Sequence, residues 1–287
     1  MIFISDKWRD YELIDCSDGQ RLERWGSVIT VRPDPQVIWQ NKKDSRLWNR
    51  AQGVYKRSSS GGGSWVKNDM PEKWEIKYGT LGFNIHPMSF KHTGLFPEQA
   101  VNWDWFSSLI KNAGRQINVL NLFAYTGGAT VAAAAAGADV VHVDAAKGMV
   151  AQAKENAFLS GLGDAHIRYI VDDCKKFVLR EIRRGNKYEG IIMDPPSYGR
   201  GPSGETWKLE ECIDELVGLS SQLLSDKPLF FLLNSYTAGL SASTMECLLR
   251  LNIKCGGVFE SGEVGLPVTE KKIVLPCGCA ARWHSEK

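Results

Sequence analysis

The stretch "NVLNLFAYTGGATVAAAAAGADVVHVD", residues 118–144, decides the fold. Two apolar runs of strand length, 118–123 and 139–144, enclose a glycine pair and the alanine-rich "ATVAAAAAGA" (129–138). Alanine loses no side-chain entropy on entering a helix, so 129–138 is expected to be helical, with Gly137 placed to close it. Downstream, the strand-length runs "IRYIVDD" (167–173), "GIIMDPP" (190–196) and "LFFLLN" (229–234) follow. Between them lie "KGMVAQAKENAFLSG" (147–161) and the amphipathic "ETWKLEECIDELVGLSSQLLS" (205–225), both read as helices. Strands alternating with helices imply a parallel sheet covered on both faces. The last β segments, 257–264 and 271–283, suggest an antiparallel finish.

Residues 1–88 differ in character. They are dense in tryptophan and carry short β-like runs, "SVITVRP" (27–33) and "QVIWQ" (36–40), interrupted by "RSSSGGGSW" (57–65). The expectation is a small β-rich N-terminal domain with one flexible loop, followed by a larger α/β domain over 89–287. The whole, 287 residues, is long enough for both.

A net charge of +2 permits a nucleic-acid partner without arguing for one. No apolar run approaches the roughly 20 residues that span a bilayer, and "MIFISDKWRD" is too short and too charged for a secretory signal. Seven cysteines without a CxxC spacing fit reduced thiols, so a cytoplasmic protein is expected. Cys277 and Cys279 share one face of a strand, where thiols are more often packing groups than ligands, and no metal site is expected.

In an open α/β sheet, ligands bind beyond the carboxyl ends of the strands. The first run ends in "LFAYTGGAT", where Gly127 and Gly128 would let backbone approach a ligand. The second ends in Asp144, about 20 residues on, the distance at which an acid takes the hydroxyls of a ribose. The third ends in Asp172 and Asp173, either able to accept from an exocyclic amine. The fourth ends in Asp194, Pro195 and Pro196, a stiff extended exit whose carbonyls point away from the ladder. Each piece has a plain alternative: a turn, a helix cap, a solvated pair, a rigid loop. Their order at successive strand ends outlines a pocket for an adenosine group. "YTGGAT" lacks the G-x-G-x-x-G cradle of a dinucleotide, which weakens a nicotinamide cofactor.

The arrangement resembles the class I S-adenosylmethionine (SAM)-dependent methyltransferases. Residues 91–240 are similar to the catalytic domain of bacterial 23S rRNA methyltransferases that act on cytosine C5 or guanine N7. The segments that carry this are "KHTGLFPEQ" (91–99), "VLNLFAYTGGATVAAAAAGA" (119–138), "VVHVDAAKGMVAQAKENAFLSGL" (140–162), "DDCKKF" (172–177) and "MDPPSY" (193–198). The resemblance implies a Rossmann-like domain with a mostly parallel seven-stranded sheet and SAM as cofactor. It implies that Phe123, Tyr125, Thr126 and Gly127 line the methionine end and that Asp144, with Ala145 beside it, holds the ribose. It assigns the adenine to Asp173, with Asp172 as second choice, and a cofactor contact to Gln99. The family often follows that glutamine with arginine, whereas this chain has Ala100.

Methyl transfer from a sulfonium is an in-line displacement, accelerated largely by positioning, and needs no metal. A planar nitrogen acceptor would be held by the carbonyls after Asp194 and Pro195, with Tyr198 available for stacking and Asp194 also beside the cofactor. Attack from cytosine C5 normally needs a cysteine thiolate. The cytosine-C5 relatives carry it after the fifth strand, where this chain has Tyr236 and Thr237, and Ser197 follows the prolines. A nitrogen acceptor is therefore expected, with RNA, ribosomal for preference, as partner. Basic and aromatic residues in 41–50 and 54–65 would suit a strand of RNA, and equally a solvated surface. The alternatives are a small-molecule or protein methyltransferase, and a SAM-binding module without catalysis.

Overall fold

The structure, a computed structural model, describes the chain apart from residues 43, 59–61, 89, 90, 201–205, 238 and 287. It divides into two compact units. Met1–Phe3, Asn102–Val264 and Gly278–Lys287 make one, and Ile4–Val101 with Gly265–Cys277 make the other.

The larger unit is the α/β sheet. Five parallel strands, β1 (Asn118–Leu122), β2 (Asp139–Asp144), β3 (Ile167–Val171), β4 (Gly190–Met193) and β5 (Phe230–Ser235), are followed by β6 (Val258–Val268) and β7 (Ile273–His284). Their spatial order is β3-β2-β1-β4-β5-β7-β6, with β7 antiparallel to β5. Strand order reverses between β1 and β4, and that switch point is where an open α/β sheet binds ligands. The helices are α1 (Ala100–Lys111), α2 (Gly128–Ala135), α3 (Lys147–Leu159), α4 (Cys174–Arg184), α5 (Leu209–Ser221) and α6 (Ala242–Asn252).

The central strands β1, β4 and β5 are buried on both faces, as a parallel sheet requires, whereas the edge strand β3 is only partly covered. On one face Leu120, Leu122, Ile191, Met193, Phe231 and Leu233 join Phe177, Leu216 and Trp283 in one apolar cluster. On the other, Phe230 stacks on Phe106 at 5.7 Å between ring centroids. Burial of each such side chain contributes about 1.5–3 kcal/mol. The expected α2 ends where Gly137 takes φ +100°, and α3 is followed by Gly161 at φ +71°. The expected helix over 205–225 is shorter: Thr206–Lys208 is a strand paired antiparallel with Tyr198–Arg200, so α5 starts at Leu209.

In the other unit, Tyr11–Ser17, Gln20–Trp25 and Val28–Pro33 form an antiparallel meander. Gly53–Arg57 joins it in parallel, and Gly63–Lys67 pairs antiparallel with Gly53–Arg57. Trp74–Tyr78 and Leu81–Ile85 make a separate hairpin. The expected strand at 36–40 is irregular. Its backbone instead serves the turn at Asp18 and Gly19, whose N–H groups donate to Trp39 and Val37. The loop expected over 57–65 joins two strands, and its centre, 59–61, lies outside the described residues.

This unit continues past residue 88, where the sequence suggested a division, because the next segment is tied to it. Ser5 Oγ and Trp8 Nε1 donate to the Pro97 carbonyl at 2.8 and 2.9 Å. Residues 265–277 belong here for a similar reason: the N–H groups of Thr269 and Glu270 donate to Leu13 and Ile14, and Lys271 pairs with Asp15 at 2.5 Å.

Candidate active site

The site residues of the α/β unit lie at the carboxyl ends of β1 to β4. After β1, Phe123 and Tyr125 take left-handed backbone conformations, φ +56° and +50°. Such conformations cost a non-glycine residue roughly 1–3 kcal/mol and persist only where neighbours hold them. Here they are held. The Phe123 N–H faces Cys174 Sγ at 3.3 Å, Ala124 N–H donates to the Val143 carbonyl, and Tyr125 N–H donates to Asp144 Oδ2 at 2.8 Å. The Thr126 carbonyl accepts from Asn156 Nδ2 at 2.8 Å, and both residues are buried.

The glycine pair has a packing reason of its own. A Cβ on Gly127 would stand 2.7 Å from Ala153 Cβ, and one on Gly128 would stand 2.7 Å from Trp103 Cζ2. Gly127 also sits at φ +83°. Close packing of α2 against protein is enough to require both glycines.

Asp144 ends β2 with both carboxylate oxygens engaged: Oδ2 by Tyr125 and Oδ1 by the Ala146 N–H, each at 2.8 Å. Burial pushes its pKa up, opposed by those two backbone bonds. An ionised carboxylate offers about four acceptor positions, so two remain. Ala145, next to it, is exposed. Behind this edge His142 is fully buried, its Nδ1 2.9 Å from Thr130 Oγ1, which accepts from Asn121 Nδ2 at 2.9 Å. That chain joins β1, α2 and β2 and turns away from the strand ends.

Asp172 and Asp173 end β3 and enter α4. Asp173 caps the helix, its Oδ1 accepting from the Lys176 N–H at 2.8 Å, while Asp172 pairs with Arg180 and accepts from the Asp173 N–H. Both carboxylates thus have structural work, where the plain alternative offered by the sequence was a solvated pair. Gln99 is buried at the end of a 3-10 turn, Pro97–Gln99, in the other unit, and Ala100 beside it is fully buried.

After β4, Pro195 is buried and Pro196 exposed. The Pro195 carbonyl has no partner among the described residues. The Pro196 carbonyl accepts from Trp207 Nε1 at 2.6 Å, and the Trp207 ring packs on Phe123 at 5.4 Å. Ser197 Oγ accepts from Thr237 Oγ1 at 2.6 Å, and the Leu209 N–H donates to the Ser197 carbonyl. Tyr198 is 54% exposed, at the start of the hairpin that carries Trp207. Sequence reading missed Trp207 and Asn156. Trp207 falls in a segment read as helix, and nothing in its neighbours marked it.

Two cysteines lie near these strand ends. Cys174 is buried at the start of α4, and burial holds its thiol well above the usual range. Cys279 stands opposite Ser235 in the β5–β7 register, at the same end of the sheet as Asp194, and burial raises its pKa too.

A family model described as S-adenosylmethionine-dependent methyltransferase matches residues 37–220. The crystal structure of a SAM-dependent methyltransferase from Agrobacterium tumefaciens superposes with a TM-score of 0.94 at 37% identity, covering 100% of this chain and 94% of that one. The ribosomal RNA large subunit methyltransferase K/L of Shewanella frigidimarina is 34% identical over 151 residues, 52% of this chain and 20% of that protein. The protein of that name in Shewanella baltica is 28% identical over 278 residues, 93% of this chain and 36% of its own length. The chain thus spans between a fifth and about a third of these curated relatives.

Proposed function

The chain belongs to the SAM-dependent methyltransferases, and from that membership we propose that it methylates a nucleobase nitrogen of ribosomal RNA in the cytosol. The observation that carries the acceptor chemistry is the exit from β4. There the Pro195 carbonyl is left to a ligand while the Pro196 carbonyl is tied to Trp207. A stiff acceptor edge of this kind suits a planar nitrogen group whose hydrogens need a partner.

The residues at the strand ends fit the cofactor. Asp144 keeps two acceptor positions for the two ribose hydroxyls after its bonds to Tyr125 and Ala146. Phe123, Tyr125, Thr126 and Gly127 would hold the methionine end, Ala145 would flank the ribose, and Asp173, or Asp172 in its place, would meet the adenine. The family resemblance alone gives Gln99 a cofactor contact. When bound, SAM supplies an electrophilic methyl on a sulfonium, which leaves as a neutral thioether once an acceptor lone pair has taken the methyl. Asp194 and the Pro195 carbonyl would orient the acceptor and accept its hydrogens, and Tyr198 would cover its plane. An exocyclic amine loses one proton after transfer, which the Asp194 carboxylate would accept; a ring nitrogen such as guanine N7 loses none. The β-rich unit would bind the RNA.

The ribosomal substrate rests on the Shewanella relatives, which are named as large-subunit rRNA methyltransferases. Against carbon methylation stands the lack of a thiolate: Tyr236 and Thr237 follow β5. Cys279 is the one observation on the other side, since it lies in register with Ser235. Its raised pKa disfavours the nucleophilic form. Nucleoside mass spectrometry of ribosomal RNA from cells with and without the gene tests the reading. Loss of one methylated base that purified protein restores is expected; an identical modification profile in both would refute it.

A further inference from the structure

The β-rich unit holds a buried charge cluster that methyl transfer does not use. Arg21 and Arg32 stand directly opposite each other in the register of Gln20–Trp25 and Val28–Pro33. Like charges in such a pair repel. Glu23 takes up Arg32, with Nε–Oε2 at 2.5 Å and Nη2–Oε1 at 2.9 Å, and also accepts from the Tyr11 hydroxyl at 2.7 Å. Arg21 pairs through Nη2 with Asp34 at 2.9 Å. Its Nε and Nη1 are buried and have no hydrogen-bond partner among the described residues, Nη1 standing 3.7 Å from Glu23 Oε1 as an ion pair, and its side chain is 10% exposed.

A third cation joins them. Lys91 Nζ donates to the carbonyl of Pro33, the residue after Arg32, at 3.4 Å. Burial, with Arg21 and Arg32 nearby, lowers its pKa. His92 is held neutral by the same surroundings, its pKa pushed down to about 4. The third acid, Glu98, is buried and its pKa is raised by that burial. Three cations therefore face two paired acids, Glu23 and Asp34, and the exposed Arg57 adds to the field at Lys91. A buried donor without an acceptor costs about 1–3 kcal/mol, more when charged. The groups lacking a partner are guanidinium N–H groups, so the partner that suits them is an oxyanion.

We propose that Arg21 and Lys91 form an oxyanion site that takes a backbone phosphate of the RNA substrate. The assignment to RNA rests on the proposed function; the oxyanion chemistry does not. Arg21 supplies the fixed fork, and Lys91, half-buried, forms the approach from solvent. A phosphate contact of this kind sets position on the strand and reads no base.

The test uses the full chain and a fluorescein-labelled single-stranded RNA from the large subunit, with anisotropy titrations across a series of KCl concentrations. Lys91→Gln is expected to weaken binding about tenfold and to reduce the slope of log K against log salt by roughly 0.7, one phosphate contact to a single strand. Lys91→Arg is expected to restore the slope, and S-adenosylhomocysteine affinity is expected to be the same in all three proteins. Arg21→Gln, if folded by circular dichroism, is expected to lose at least as much as Lys91→Gln. Unchanged affinity and slope in Lys91→Gln, beside a wild type that binds RNA, would overturn the contact to an RNA phosphate. A wild type that binds no RNA even at low salt would overturn the ribosomal reading itself. Inorganic phosphate provides the second arm. If it raises the melting temperature of wild type but not of Lys91→Gln, while RNA binds both equally, the site takes a free oxyanion and the RNA assignment fails.

Discussion

Replacing Asp144 by alanine perturbs the cofactor end of the site at one carboxylate. That group accepts from Tyr125 and Ala146, each at 2.8 Å, and has two acceptor positions left for a ribose. A hydrogen bond to a charged group contributes about 1.5–3 kcal/mol. Two such bonds give about 3–6 kcal/mol, or roughly 10²- to 10⁴-fold in affinity at 1.4 kcal/mol per decade. Fold stability responds less. The exposed Ala146 N–H regains water, the Tyr125 N–H loses its acceptor at a cost of about 1–3 kcal/mol, and removal of a carboxylate that burial disfavours offsets part of that. Calorimetric titration with S-adenosylhomocysteine, beside thermal unfolding of the same sample, separates the two effects. The expected result is a folded protein with at least a hundredfold weaker affinity. Because burial raises the Asp144 pKa, wild-type affinity is also expected to fall on acidification from a pH above the ordinary carboxylate range, an inflection absent from the variant. A folded Asp144→Ala protein that binds within about threefold of wild type would refute the assignment of the ribose to this carboxylate.

The remaining predictions address the acceptor side and the fold. Asp194→Ala is expected to keep S-adenosylhomocysteine affinity while turnover disappears; equal loss of affinity in Asp144→Ala and Asp194→Ala would contradict that division of roles. Trp207→Phe keeps a ring against Phe123 and removes the bond to the Pro196 carbonyl, so kcat is expected to drop roughly two- to tenfold, with cofactor affinity unchanged. Cys279→Ser is expected to leave kcat within about twofold of wild type, and abolished transfer would instead favour a carbon acceptor. His142 is buried neutral, its pKa lowered from 6.5 to about 4 by burial. A depressed folded-state pKa gives stability that is complete above pH 6.5 and is lost as pH falls toward 4. The loss between pH 7 and 5 is about 2 kcal/mol. Urea unfolding of the α/β unit at the two pH values should show a smaller difference in His142→Phe than in wild type.

The sequence disclosed those parts of the fold that local chemistry decides. Alternating apolar runs and alanine-rich helices determine β1 to β5, and an acid after an apolar run marks a strand end whatever lies around it. The reasons behind individual residues were less legible, because they depend on what tertiary packing brings near. Gly127 and Gly128 looked like a ligand turn, yet Ala153 and Trp103 are what a side chain there would strike. Asp173 looked like an adenine contact and serves as the α4 cap, since an aspartate before a helix can satisfy an N–H whether or not it meets a ligand. Trp207 was hidden by a helical pattern that the pairing of Tyr198–Arg200 with Thr206–Lys208 overrides. That hairpin bonds the exposed proline to an indole on its return strand and so leaves the buried proline's carbonyl as the one for an acceptor. The two prolines therefore do different jobs. Pro195 would present its carbonyl to the acceptor, and Pro196 anchors the segment that holds it still. If the bond from Trp207 is what fixes that edge, a small polar ligand such as cytidine or guanosine should protect the Pro195 edge only when Trp207 is intact. The amide hydrogens of Ser197 and Tyr198 should then exchange more slowly with ligand in wild type and at an unchanged rate in Trp207→Phe; equal protection in both would show that the shelf is rigid without the indole.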